Sequence, residues 1–170
     1  MDFNMKNKTM TAFWGRKVVK PLQGFLTQGL SCKKLALSLA FGLTLGTFPM
    51  LGVTTVLCTL TAFILKLNLP VIQFANYLVY PLQILLLVPY YHLGDLIFNA
   101  QQNIDFGTLK DILIGNTNKE MITMLLESTL YAAGAWLLIS PLTLALLYTG
   151  LKPALFRLNS ASTKLKFFRR

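Results

Sequence analysis

Apolar residues in this chain run on past the length of any amphipathic repeat. Leu35 to Leu65, Leu67 to Gly94 and Ser128 to Leu151 contain no charged residue over 31, 28 and 24 positions. Each stretch exceeds the roughly 20 residues with which a helix crosses a hydrocarbon layer about 30 Å thick. A helix in the core of a soluble protein shows a charged or strongly polar face within two turns, and these stretches carry no charge at all. The pattern predicts an all-α, multi-pass integral membrane protein with about three apolar helical segments.

The first segment is internally broken. As one helix its 31 residues would extend about 46 Å. Pro49 lacks a backbone donor and clashes with the preceding turn, at a cost of about 3 kcal/mol in a helix interior, and Gly46 and Gly52 flank it. The piece before Pro49 is then about 21 Å long, too short to cross. The segment is expected to re-enter as a hairpin whose turn comprises Gly46, Pro49 and Gly52, returning Lys66 to the side from which it started. Backbone groups freed at such a turn cannot be left against lipid, where each costs several kcal/mol, so a neighbouring helix or a second protomer must cover them. Gly42 and Gly46 form a Gly-x-x-x-Gly face that lets another backbone approach closely. That face is expected to make either intrachain contacts or a homo-oligomer.

The second segment opens with Asn68 as cap and Pro70 in the first turn, where proline is tolerated. Gln73, Asn76, Tyr80 and Gln83 follow at spacings that place them on one helical face. In a membrane such a stripe points inward, either to glue helices together or to line a polar path. Pro81 and Pro89 are expected to kink this helix unless local groups replace the lost bonds. Beyond it, Thr117 and Glu120 have capping-box spacing and predict a helix start near Asn118, an amphipathic lead into the third span. Ser140 and Pro141 are expected to interrupt that span midway.

Charge orients the whole. The chain carries a net +10, with seven Lys/Arg against one Asp in residues 1–34, six Lys/Arg and no acid in residues 152–170, and two Lys against five acids in residues 95–127. By the positive-inside rule both termini are expected in the cytoplasm, on the inner membrane, and the acidic loop outside. The reading is of a basic cytoplasmic or interfacial leader (1–34), a membrane domain (35–151) whose loop 95–127 is extracytoplasmic and carries an amphipathic helix, and a basic cytoplasmic tail (152–170). Residues 9–30 mix Phe13, Trp14, Val18, Leu22, Phe25 and Leu26 with Arg16, Lys17 and Lys20, which predicts an N-terminal amphipathic helix against anionic headgroups. Ser31 is placed to cap the helix after it. No cleavable signal is expected, since the first apolar run begins only at Leu35. Nucleic acid is not expected as a partner, because no base-stacking pattern or motif accompanies the cations; the lipid bilayer is.

The chemistry census is sparse. Cys32 and Cys58 have neither disulfide nor metal-site spacing. The single histidine, His92, stands three residues before Asp95, with no nucleophile or metal-ligand cluster in the sequence beside it. No phosphate-binding loop or dinucleotide fingerprint occurs. No catalytic, cofactor-binding or metal residue is assigned, and the chain is not expected to be an enzyme or to need a cofactor.

From Leu35 to Gly94 the chain resembles a bacterial membrane-domain family catalogued as domain of unknown function 2062. The residues that carry the likeness are Leu35 to Gly42, the run Gly46-Thr47-Phe48-Pro49-Met50-Leu51-Gly52, Leu67-Asn68-Leu69-Pro70, Tyr80-Pro81-Leu82 and Leu93-Gly94. Many members place Asn where this chain has Tyr80, so no role of that Asn carries over. The resemblance implies a membrane protein and no catalytic residue. Relatives that resemble fusions to, or neighbours of, glycosyltransferase-like and lipid-related enzymes imply envelope lipid or polysaccharide handling. Two functions are therefore expected. One is a small transport or lipid-handling membrane component with its site at the broken turn and polar stripe; the other is a non-catalytic accessory or anchoring subunit for an envelope-biosynthesis enzyme such as a glycosyltransferase.

Overall fold

The computed structural model describes residues 24, 31–100, 104–115 and 118–167, and all regular structure in them is helical. Helix α1 (Cys32–Leu45) starts at Ser31, whose hydroxyl accepts from the Lys34 N–H at 3.3 Å. It ends at Gly46, ahead of Pro49. The chain turns and resumes as α2 (Val53–Ile64), which begins after Gly52 at φ 86°. That left-handed conformation admits glycine without strain. Lys66 (φ 51°) lies in the turn that follows α2, and Asn68 caps α3 (Leu69–Phe98) by accepting from the Val71 N–H at 3.1 Å. Helix α3 runs through Pro81 and Pro89 and stops at Asn99, which is left-handed. Asp105 opens the short α4 (Phe106–Ile114), accepting at 2.8 Å from both the backbone N–H and the hydroxyl of Thr108. Helix α5 (Lys119–Phe167) is capped by Asn118, which accepts from the Met121 N–H at 2.8 Å.

Contacts set the helix directions. Ser38 accepts from the Asn68 N–H at 3.2 Å, Gly42 packs on Ile72 and Ala75, and Gly46 on Val79. Matching residues rise together, so α1 and α3 are parallel. Helix α2 returns alongside them, burying Cys58 and Ala62 against Ile72. Helix α5 descends antiparallel to α1: Trp136 meets Thr47 just past the end of α1 and Leu155 is buried among Cys32, Leu35, Ala36 and Leu39 at its start, while Thr129 and Ala132 cross the last turns of α3 at Tyr91 and Gly94. One end of the bundle therefore gathers Lys33, Lys34, Lys66, Lys152 and Arg157. At the other end, Ile104 tucks under Leu87, Tyr91 and Ala132, and Asp105, Asp111 of α4 and Glu120 in the first turn of α5 lie there.

The apolar segments differ in part from expectation. Two helices, α3 and α5, are long and apolar enough to cross a membrane. The first segment divides at Pro49 into helices of 14 and 12 residues, both short of the roughly 20 needed. The third is not interrupted at Ser140 and Pro141; α5 is one helix of 49 residues that starts at Lys119, beside the expected Asn118, and runs on into the apolar stretch. The local reason is visible. Pro141 leaves the Leu137 carbonyl without its helical N–H, and the Ser140 hydroxyl donates to that carbonyl instead, at 3.3 Å. The capping group at its start is Asn118; Thr117 and, apart from Gly24, the N-terminal amphipathic stretch 9–30 lie outside the described residues.

Candidate functional site: the hairpin tip and its cleft

The turn joining α1 to α2 is closed by both long helices. Within it, the N–H groups of Thr47 and Phe48 donate to the Thr44 and Leu45 carbonyls at 3.2 and 3.1 Å, a tightened last turn that meets the arrival of Pro49. Gln83 of α3, only 1% exposed, donates through Nε2 to the Phe48 carbonyl at 2.8 Å and stands 3.4 Å from that of Met50. From α5, the Trp136 indole N–H donates to the Thr47 hydroxyl at 3.2 Å. The Trp136 ring meets Phe48 edge-on, with centroids 5.2 Å apart. The Thr47 to Pro49 side of the turn is thus covered inside one chain, while Met50, Leu51 and Gly52 stay exposed.

The polar stripe divides in two. Gln73 donates through Nε2 to the Thr55 carbonyl at 3.0 Å and the Thr59 hydroxyl at 2.9 Å, tying α2 to α3 much as Gln83 ties the tip. Asn76 donates to the Gln73 side-chain oxygen at 3.4 Å. Asn76 and Tyr80 line a cleft of about 310 Å³ together with Gly52, Thr54, Thr55 and Tyr77. No charged side chain lines it. The first turn of α2 borders this cleft, and no side chain caps that turn.

Gly42 and Gly46, read from sequence as a face for close helix approach, receive the chain's own α3. A Cβ on Gly42 would meet the Ile72 carbonyl and stand 2.6 Å from the Ala75 Cβ, and one on Gly46 would meet Val79 and stand 3.0 Å from Asn76 Oδ1. A second copy has to use another surface. His92 is exposed on α3, and among the described residues no group of three or more His, Cys, Asp or Glu is placed to hold a metal. Sequence reasoning missed Thr47, Trp136, Thr54, Thr55 and Tyr77. A signal existed only for Trp136, whose indole N–H, buried in an apolar run, requires an acceptor.

The family model described as an uncharacterized protein conserved in bacteria (DUF2062) matches residues 16–159, taking in the hairpin, its tip and both long helices. The chain belongs to this bacterial family. Among curated proteins and solved structures, none matches it. In this DUF2062 chain the Gly-x-Phe-Pro-x-x-Gly run is the hairpin tip itself, and the Asn-x-Pro run is the capped start of the helix whose Gln83 bonds it.

Proposed function

We propose that this chain is a multi-pass protein of the bacterial inner membrane in which α3 and α5 cross, the α1–α2 hairpin re-enters from the cytoplasmic side, and the cleft at the hairpin tip serves a small transport or lipid-handling role. One observation carries the embedding. Only 17% of the most apolar window of α5 is buried within the chain, and Leu130, Leu137, Leu138, Leu142 and Leu146 all stand exposed along that helix. A soluble core helix hides such a face; lipid receives it. The basic residues collected at one end of the bundle support cytoplasmic placement of that end and of both termini. Broken helices beside a polar cleft are where many transporters seat their substrates. The reading includes no catalytic step.

The test begins with topology. In a chain whose own cysteines are replaced by alanine, single cysteines at Lys66, Gly115 and Arg170 are labelled with a membrane-impermeant maleimide. Gly115 is expected to react in intact cells, and the other two only after permeabilisation; an external Arg170 sinks the topology. For the role, the lipid composition of cells lacking the gene should be restored by the wild-type chain and not by an inserted Asn76→Leu variant. Full rescue by that variant removes the cleft from the function. The clustered cations favour a second reading, an accessory subunit that holds an envelope enzyme at its basic end. In that case, removing residues 159–170 releases a co-purifying partner while the cleft variant behaves as wild type.

A further inference from the structure

We infer that the uncapped N-terminus of α2 is a seat for the singly charged oxyanion of a membrane lipid headgroup, with Thr54 and Tyr80 completing it. This rests on the membrane reading above and names what the cleft would hold. The N–H groups of Val53, Thr54 and Thr55 find no acceptor among the described residues, although the N-caps of α1 and α3 are each satisfied by a side chain. Gly52, the cap residue, has no side chain to offer. Thr54 is only 4% exposed, lines the cleft, and its hydroxyl has no partner among the described residues. That hydroxyl stands at the cleft beside free helical amides, with its hydrogen-bonding capacity available to a ligand. The same array suits an oxygen-rich anion, because the amides point outward and the helix end carries about half a positive charge.

The lining chooses among anions. With no Lys or Arg in the cleft, a half-unit of positive charge balances a phosphodiester monoanion far better than a phosphate dianion. Access points the same way. Tyr77 and Tyr80 are 63% and 47% exposed, so the cleft opens on the perimeter of the bundle, where a lipid arrives sideways. At about 310 Å³ it has room for a headgroup and not for acyl chains. Asn76 and Tyr80 lie about 12 to 18 Å along α3 from Asn68, between the basic end and the middle of that helix.

The full chain, purified in detergent micelles doped with phosphatidylglycerol or with diacylglycerol of the same acyl chains, is examined by native mass spectrometry. Phosphatidylglycerol is expected to be retained about tenfold more tightly than diacylglycerol. Thr54→Val and Tyr80→Phe should each cut that preference several-fold, and Thr54→Ser should keep it. Thr55→Asp, which places a carboxylate at the same amides, should abolish it; its melting temperature shows whether it still folds, and Thr54→Val stands as the independent variant. Equal retention of the two lipids overturns the inference. So does a preference that survives all the variants, which puts the lipid at the basic end instead, and so does displacement by millimolar inorganic phosphate, which makes the site one for free anion. A chain that labels as membrane-inserted but fails here loses only this inference, whereas a chain absent from the membrane fraction loses the reading beneath it.

Discussion

Gly42→Ala tests the packing that holds the hairpin upright. The added methyl would collide with the Ile72 carbonyl and stand 2.6 Å from the Ala75 Cβ. Neither neighbour can swing aside, since one is backbone and the other is the shortest side chain that has a Cβ. Relief therefore requires α1 and α3 to separate, and overpacking of this kind costs about 1–3 kcal/mol, with a backbone collision at the upper end. Against it stands the gain from replacing glycine inside a helix, about 1 kcal/mol. The balance is a loss of about 2 kcal/mol, or roughly 4–8 °C in melting temperature for a chain of this size. The protein supplies its own reporter, because Cys32 and Cys58 are free and buried. A thiol-reactive fluorophore that lights up as they become accessible follows unfolding in detergent. Gly150→Ala is the control: nothing lies within 4 Å of a Cβ there, so helix propensity acts alone and the melt should hold or rise. If Gly42→Ala melts with the control, the face is not filled by α3; if it dissociates an oligomer without moving the monomer melt, the face belongs to a second copy.

Other perturbations read separate contacts in the same melt. Gln83→Leu strips the donor from the Phe48 carbonyl but also removes a buried Oε1 that has no partner; the two effects oppose, and the expected loss is about 1 kcal/mol rather than about 3. A drop above 10 °C would contradict that offset. Trp136→Phe keeps a ring against Phe48 and loses the hydrogen bond to Thr47, for about 1 kcal/mol, whereas a neutral result means the indole N–H is not bonded there. Asn68→Ala removes the α3 cap at about 1 kcal/mol, and Asn68→Asp should recover most of it. In the far loop, the N–H and hydroxyl of Thr108 hold the Asp105 carboxyl below its ordinary range. A depressed carboxyl contributes its cap above the unfolded pKa and loses it as pH falls through the folded one. Amide exchange in α4 should therefore stay slow through mild acid and quicken only at strongly acidic pH, and Asp105→Asn should flatten that dependence.

Features decided by neighbours in sequence were legible. Ser31 and Asn68 cap because a side-chain oxygen reaches an amide three residues on, and Pro49 breaks a helix whatever surrounds it. The stripe on α3 was legible as a stripe, since spacing alone sets it. Its division was not, because Gln83 finds Phe48 across 35 positions and Gln73 finds Thr55 across 18, and nothing local distinguishes those amides from Asn76. Pro141 misled for the opposite reason. The remedy is one hydroxyl beside it, and its donation to Leu137 depends on a rotamer that the sequence does not state. The uncapped start of α2 was hidden as well, since Gly52 reads first as a turn residue and only its φ shows that the helix begins right after it.

The covering of the tip has a consequence for the order in which the protein is made. Thr47 and Trp136 are 89 positions apart, which at 5–20 residues per second is about 4 to 18 s of synthesis. The α1–α2 hairpin leaves the ribosome first and is paired with Gln83 a few seconds later. It meets its indole donor only when α5 is well advanced. For that interval the nascent hairpin is a short, greasy, half-closed element with the Thr47 hydroxyl still awaiting its donor. A chain stalled between α3 and α5 should therefore be the form most readily seized by quality-control proteases and, on the proposed membrane reading, by insertion factors.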